Sequence, residues 1–322
     1  MVPIPVFIIF DGMVDQILTA TTVFDGHTAA VYALANGTDD HTFISGGGDG
    51  RIVAWDPLGP ENGKLIATIS EAIFSIHLDT VRQMLLVGTG SGKLHAIDLR
   101  SRTETQVVEL HRKGIFGILA HAPGQVVCAG GDGILSAWRW NDTTGPDGTA
   151  KLELERQVPL CEEKLRGLAI SPTGDRFAVA CGDGYVREFE PTLLNETMCI
   201  NAHVNGSTSV SYHPDKPVLI SGGKDGFLRF WHTEEGGRSI HAFAAHKGSV
   251  YAASVDPGGK VLASVGRDSL LKYWDANTLD PLFHTERNKL GHTHSINACL
   301  WMGTQLFTAS DDRNIKGWTL RQ

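Results

Sequence analysis

The 322-residue chain has no stretch approaching about 18 consecutive apolar residues, the length a membrane helix needs. Its first ten residues, MVPIPVFIIF, are apolar, yet they contain two prolines, lack a basic leader and stop at Asp11. Neither a secretory signal nor a transmembrane helix is therefore expected. Cysteine is scarce. There are five, an odd number with no CxxC pair, which argues against a disulfide framework and a zinc site; they are expected to be reduced and mostly buried. Basic excess is also lacking: the formal net charge is −8, which disfavours a nucleic-acid coat or an anionic-membrane binder and leaves room only for a local basic patch. No segment sustains a helical period over ten or more residues. The expected address is the cytoplasm, with the N-x-S/T sequons at Asn36, Asn141, Asn195 and Asn205 read as coincidental.

What the chain does contain is a repeat. In SGGGDGRIVAWD, residues 45 to 56, Asp49 stands six residues before Trp55. The same spacing joins Asp132 to Trp138, Asp225 to Trp231, Asp268 to Trp274 and Asp312 to Trp318, with weaker copies at Asp183 and Phe189 and at Ser91 and Ile97. The seven markers are 42, 41, 51, 42, 43 and 44 residues apart. A period of about 40 to 45 points to propeller blades rather than helical arrays. The long interval contains NDTTGPDGTA, residues 141 to 150, which reads as a surface loop inserted into the third unit.

Within each unit, short runs such as AVYALA, TFISG and RIVAWD are rich in β-branched and aromatic residues and are separated by turn residues. One such sheet is marginal alone and must pack on neighbours. The expected fold is all-β: a seven-bladed propeller of four-stranded antiparallel blades, spanning residues 16–322, with 1–15 as an extension outside the repeat. The last unit ends just after its third strand, at IKGWTLRQ, so Gln16 to Phe24 is expected to supply the fourth and close the ring. Met13 is then a plausible alternative start.

About 20 to 22 residues before the aspartates stand His27, His111, His203, His246 and His292, twice as a Gly-His pair. Four residues before the aspartates stand Ser45, Ser221, Ser264 and Thr308. Together these residues resemble the WD-repeat (WD40) family, and the resemblance covers the chain from about Gln16 onward. With its Gly-Asp-Gly turns and no accessory domain, the chain looks most like stand-alone bacterial cytosolic members. The resemblance implies buried hydrogen-bond sets in which tryptophan donates to the hydroxyl, the hydroxyl to histidine and histidine to aspartate. Full sets are expected in unit one (His27, Ser45, Asp49, Trp55), five (His203, Ser221, Asp225, Trp231), six (His246, Ser264, Asp268, Trp274) and seven (His292, Thr308, Asp312, Trp318). Unit three is expected to use Cys128 in place of the hydroxyl. Units two and four carry Ile69 and Cys161 at the histidine position and Val87 and Val179 at the hydroxyl position, so their centres are expected to be apolar.

The recurring Ser, His and Asp do not make a hydrolase triad, because a catalytic site is built once and this trio occurs four times at fixed spacing. GTGSGK, residues 88 to 93, lacks the first glycine and the final Ser/Thr of a phosphate loop and reads as a blade turn. The pair His292 and His294 lacks ligands at metal spacing. In WRW, Trp138 belongs to the core and only Trp140 remains for stacking. No catalytic residue, metal or cofactor is expected.

The resemblance implies a non-enzymatic scaffold for protein partners, with nucleic acid unlikely as a ligand. The alternatives are a lactonase-type propeller hydrolase, or recognition of RNA or an acidic tail by a basic patch. In the family, the histidine loop and the aspartate turn open on the face most used for partners. The residue before each aspartate position is Gly48, Gly90, Gly131, Gly182, Lys224, Arg267 and Asp311. With Arg112, Lys113, Lys164 and Lys247, this points to a basic sector across units three to six, centred on Lys224, Lys247 and Arg267, for an acidic peptide or protein segment.

Overall fold

The computed structural model describes residues 18–39, 41–59, 63–142, 150–286 and 290–320. Within them the chain forms seven antiparallel sheets of four strands each, and its single helical element is the 3-10 turn Thr233–Glu235. No helix among the described residues is long and apolar enough to cross a membrane. In blade one the strands run Val31–Asn36, Phe43–Gly47, Arg51–Trp55 and Lys64–Thr68, from the channel outward. The first strands of successive blades pack on one another around the axis.

The middle strands are buried because both of their faces meet neighbouring blades. Phe43–Gly47 and Phe177–Cys181 are buried at every position, whereas outer strands such as Lys151–Pro159 turn most side chains to solvent. This explains the composition of the runs: small and apolar residues with one buried hydroxyl or its replacement in the second strand, alternating or polar residues in the fourth. The side chains fill the spaces between blades, and Trp55, Trp138 and Trp318 are among the largest fully buried ones.

Ring closure joins the two ends of the described chain. Leu18–Phe24 pairs antiparallel with Ile315–Leu320, placing Val23 opposite Lys316 and Phe24 opposite Ile315. It completes the sheet of Ile296–Met302, Gln305–Ser310 and Ile315–Leu320. Phe24 is 1% exposed and meets Phe43 and Trp55 of blade one and Phe307 of blade seven, with ring centroids 5.2, 5.7 and 5.8 Å away. The closing strand thus ties two blades through one aromatic side chain. The extension 1–15 lies outside the described residues, as do 143–149 of the inserted loop.

One irregularity recurs in all seven blades. The ladder between first and second strands slips by one residue near its start, leaving Tyr32, Phe74, Phe116, Arg166, Thr208, Tyr251 and Asn297 as the extra residue in turn. Such a bulge re-aims a side chain. Here it aims one side chain per blade into the channel.

Candidate partner-binding face

Five blades hold a histidine-centred polar set. In blade one His27 Nδ1 lies 3.0 Å from Asp49 Oδ1, His27 Nε2 lies 2.7 Å from Ser45 Oγ, and Trp55 Nε1 donates to the same hydroxyl at 2.8 Å. The Thr28 amide donates to the second aspartate oxygen at 2.8 Å. Blade five joins His203, Asp225, Ser221 and Trp231 in the same way, with Arg229 also on Asp225 at 2.8 Å. Blade six joins His246, Asp268, Ser264 and Trp274; blade seven joins His292, Asp312, Thr308 and Trp318. Since the hydroxyl accepts from the indole, its own proton goes to the histidine Nε2, which leaves Nδ1–H for the aspartate.

Blade three departs from the expected pattern. Cys128 does not take the hydroxyl's part; Ser136 does, with Oγ 2.9 Å from His111 Nε2 and 2.9 Å from Trp138 Nε1, while His111 Nδ1 lies 2.9 Å from Asp132. Cys128 and Ser136 are direct cross-strand partners, as are Ser45 and Val53 or Ser264 and Lys272. The hydroxyl has crossed to the neighbouring strand and reaches the same gap between histidine and tryptophan. Blade three is therefore a complete set by another route.

Blades two and four replace the imidazole with ion pairs. In blade two Lys93 Nζ sits 2.6 Å from Glu71, which also accepts from Ser91. Hydrogen bonds from Lys93 and Ser91 hold the Glu71 carboxyl down at about 2. In blade four Arg187 bonds Asp183 at 3.1 Å and the Leu160 carbonyl at 3.3 Å. The centres of these blades are apolar at Val87 and Val179, but their corners are charged. The five cysteines are all free thiols; Cys128 and Cys181 are buried, Cys161 and Cys299 are half-buried and Cys199 is exposed, so burial is less general than their scarcity suggests. Trp140 is not available for stacking: it is 5% exposed and lies beneath Arg82, 5.7 Å from the ring centroid.

The histidine connections and aspartate turns share one face, and there the bulged residues surround a channel of about 380 Å³ lined by all seven first strands. On one side lie aromatics: Tyr32 and Phe74 meet edge to face at 5.2 Å, and Phe74 stacks on Phe116 at 5.1 Å. The bare glycines ahead of the aspartates make room for them. A Cβ at Gly131 would meet the Phe116 ring at 2.8 Å, and one at Gly90 would meet Phe74 at 3.3 Å.

Cations lie beside the Phe116 end of the aromatic row, where Tyr251 also lines the channel. Arg166 and Lys164 sit over the Phe116 ring at 5.0 and 5.3 Å. Burial holds the Arg166 guanidinium below its usual range. The Lys164 ammonium is lowered first by burial and then by the charges of Arg166, Lys113 and Lys224, against a smaller opposing effect of Glu163, so these four basic groups share one field. Lys247 and Arg267 are exposed one blade further round, the Arg267 stem against Gly248 and the Lys247 charge felt by Lys272. Arg112 is exposed and lends its amide to Asp132. None of these seven basic side chains has a described carboxylate within ion-pair range. Asp311, across the channel, accepts from Asn297 at 2.8 Å and raises the Tyr32 hydroxyl after burial does. The described channel lining includes no carboxylate or imidazole, and the described groups placed to hold a metal, Cys161, Cys181 and Asp183, belong to blade four and are not among its lining residues.

The basic sector thus gathers around Lys164 and includes Arg166, a residue that the histidine-to-tryptophan markers do not pick out. A signal existed: every bulged residue stands five positions after its blade's histidine position, from His27 and Tyr32 to His292 and Asn297.

The sequence model described as "WD domain, G-beta repeat" matches residues 18–56, 194–232, 237–275 and 284–319. These are the four units with the hydroxyl on the second strand. WD repeat-containing protein 90 of Xenopus tropicalis is 29% identical over 191 residues, 56% of this chain and 10% of that protein. Periodic tryptophan protein 2 of Arabidopsis thaliana is 24% identical over 216 residues, 66% of this chain and 23% of its own length. THO complex subunit 6 homolog of Danio rerio is 22% identical over 189 residues, 55% of this chain and 57% of that protein. The aligned stretches thus span between about a tenth and just over half of these relatives.

Proposed function

The chain belongs to the WD-repeat (WD40) family, and from that premise we propose that it is a non-enzymatic scaffold whose channel face binds an acidic protein or peptide segment. One observation carries the reading: four basic groups, Lys113, Lys164, Arg166 and Lys224, share a field beside an aromatic shelf, with no described carboxylate in ion-pair range. Basic groups gathered without direct ion-pair partners repel one another, and an incoming carboxylate relieves that repulsion. The shelf of Tyr32, Phe74 and Phe116 offers apolar area for a neighbouring side chain of the partner. Lys247 and Arg267 extend the attraction around the rim and steer approach.

The test uses fluorescent acidic peptides with and without one aromatic residue, a basic peptide of equal length, and two folded variants. One reverses Lys113, Lys164 and Lys224 to glutamate; the other reverses Lys224, Lys247 and Arg267. Binding of acidic peptides should weaken with salt and fall at least tenfold in the first variant, with a smaller loss in the second. Equal binding by wild type and both variants would move the partner site off this face.

A further inference from the structure

Blade four holds a group of side chains that no partner-binding role uses. Its histidine position is Cys161, and its second strand, Phe177–Cys181, ends at a second cysteine. The two sulfurs and a carboxylate oxygen of Asp183 lie within 4.8 Å of one another. Cys161 is half-buried in the connection ahead of Leu165–Ile170, and its thiol donates to the Glu163 carbonyl at 3.2 Å. Cys181 is buried behind it. Arg187 bonds Asp183 and reaches the separate Cys199 Sγ at 3.4 Å, and its charge is felt by the Cys181 thiol.

We propose that Cys161 and Cys181 form a peroxide-oxidised thiol–disulfide site, with Cys161 as the attacking sulfur and Cys181 as the resolving one. The accessible cysteine faces solvent and its close neighbour does not, which is the order that the chemistry needs. The two thiols share their protons unequally. The hydrogen bond from Cys181, more than any other contact, brings the Cys161 thiol down to about 7, while that same contact and burial push Cys181 far up. A pair holding one thiolate and one thiol is the reactant state of disulfide formation.

The steps balance. The Cys161 thiolate attacks one oxygen of a hydroperoxide; the O–O bond breaks, the leaving oxygen takes a proton, and Cys161 becomes a sulfenic acid. The Cys181 sulfur then attacks the Cys161 sulfur; the S–S bond forms, the S–O bond breaks, and hydroxide leaves with the Cys181 proton as water. With hydrogen peroxide, two thiols and one peroxide give one disulfide and two waters.

The experiment uses the whole chain, reduced and then exposed to stoichiometric hydrogen peroxide, with remaining thiols alkylated and mapped by mass spectrometry. Two of the five thiols should disappear and a Cys161–Cys181 cross-link should form, reversible by dithiothreitol. Before oxidation, alkylation of Cys161 at pH 7 should run at least tenfold faster than that of Cys199, whose thiol burial raises. Cys199→Ser should leave the cross-link intact; Cys161→Ser and Cys181→Ala should each abolish it while far-UV circular dichroism stays unchanged. The proposal is overturned if Cys161 proceeds to sulfinic acid with no cross-link, or if all five thiols survive. It is equally overturned if the purified protein carries stoichiometric zinc that Cys161→Ser removes, which would make the cluster a metal site.

Discussion

Replacing Ser136 by alanine removes one hydroxyl and leaves two buried groups without a partner, the His111 Nε2 and the Trp138 Nε1–H, each 2.9 Å from it. His111 and Trp138 are 3% and 2% exposed, so water cannot readily take the hydroxyl's place. An unsatisfied buried polar group costs about 1–3 kcal/mol, which puts the loss near 3 kcal/mol for the pair, softened by the weak sulfur acceptor of Cys128 nearby. Cys128→Ser alone should change little, because the existing hydroxyl already fills the gap. Added to Ser136→Ala, it should recover most of the loss by restoring the arrangement of Ser45 opposite Val53. The assay is urea denaturation followed by tryptophan fluorescence for wild type, both single variants and the double variant, taking midpoint and slope together. The reasoning fails if Ser136→Ala keeps the wild-type midpoint, or if the double variant is no better than that single one.

Other expectations are checked in the same way. Asp268→Ala orphans the His246 Nδ1–H and the Lys247 amide and should cost roughly 3–5 kcal/mol, whereas Ser91→Ala should cost under about 1 kcal/mol because Lys93 still holds Glu71; similar denaturation midpoints would contradict this. Removing residues 1–15 should leave thermal stability nearly unchanged, while removing 1–25 should collapse it. Phe24→Ala alone should cost about 3–5 kcal/mol, and equal stability of the two truncations would reject the closing role of the strand. Burial lowers His203, helped by the Arg229 charge, and burial likewise lowers His121. Their folded values lie below the unfolded value near 6.5, so stability should be full above that pH and decline as pH falls through it. For Asp268 and Asp312, burial raises the carboxyl but the histidine and amide contacts outweigh it and hold it low. A second decline should then begin below about pH 4; midpoints that stay flat from pH 7 to 3 would refute both parts.

Blade number and register were legible because an aspartate in a turn, a tryptophan on a third strand and a histidine in a connection are chemically distinct and recur at one spacing. Closure was legible because a repeat that stops after three strands leaves an edge that some other segment must cover. The blade-three hydroxyl was not legible by position: Cys128 occupies the expected place, and only cross-strand register shows that Ser136 reaches the same gap. The charged corners of blades two and four were hidden for a related reason. In blade two Lys93 pairs with Glu71 and in blade four Arg187 pairs with Asp183, both cations from the third strand as Arg229 is beside His203 in blade five, and a pattern built on histidine does not look there.

The same physics separates the two kinds of recurring position in each blade. Residues at the histidine and aspartate positions answer to one another, so a change at one is matched inside the blade, as in the charged corners just described. The residue five places after the histidine position has no directly opposed residue in its own ladder, since the bulge removes it from backbone register. It is therefore free to vary from blade to blade, and in this chain it runs Tyr, Phe, Phe, Arg, Thr, Tyr, Asn around the channel. Freedom from pairing is what allows aromatics to gather on one side and Arg166 to stand beside them. Substituting Gly131 with valine tests whether that gathering matters: its Cβ would meet the Phe116 ring at 2.8 Å and displace it from under Arg166 and Lys164. The same Cβ would crowd the Lys113 Cβ at 3.0 Å and the Gly114 carbonyl at 3.1 Å, so the variant's denaturation midpoint is measured beside its binding. The variant should lose affinity for an aromatic-containing acidic peptide several-fold more than for an acidic peptide without the aromatic residue. Equal losses for the two peptides would mean that the shelf takes no part in recognition and that charge alone draws the partner to this face.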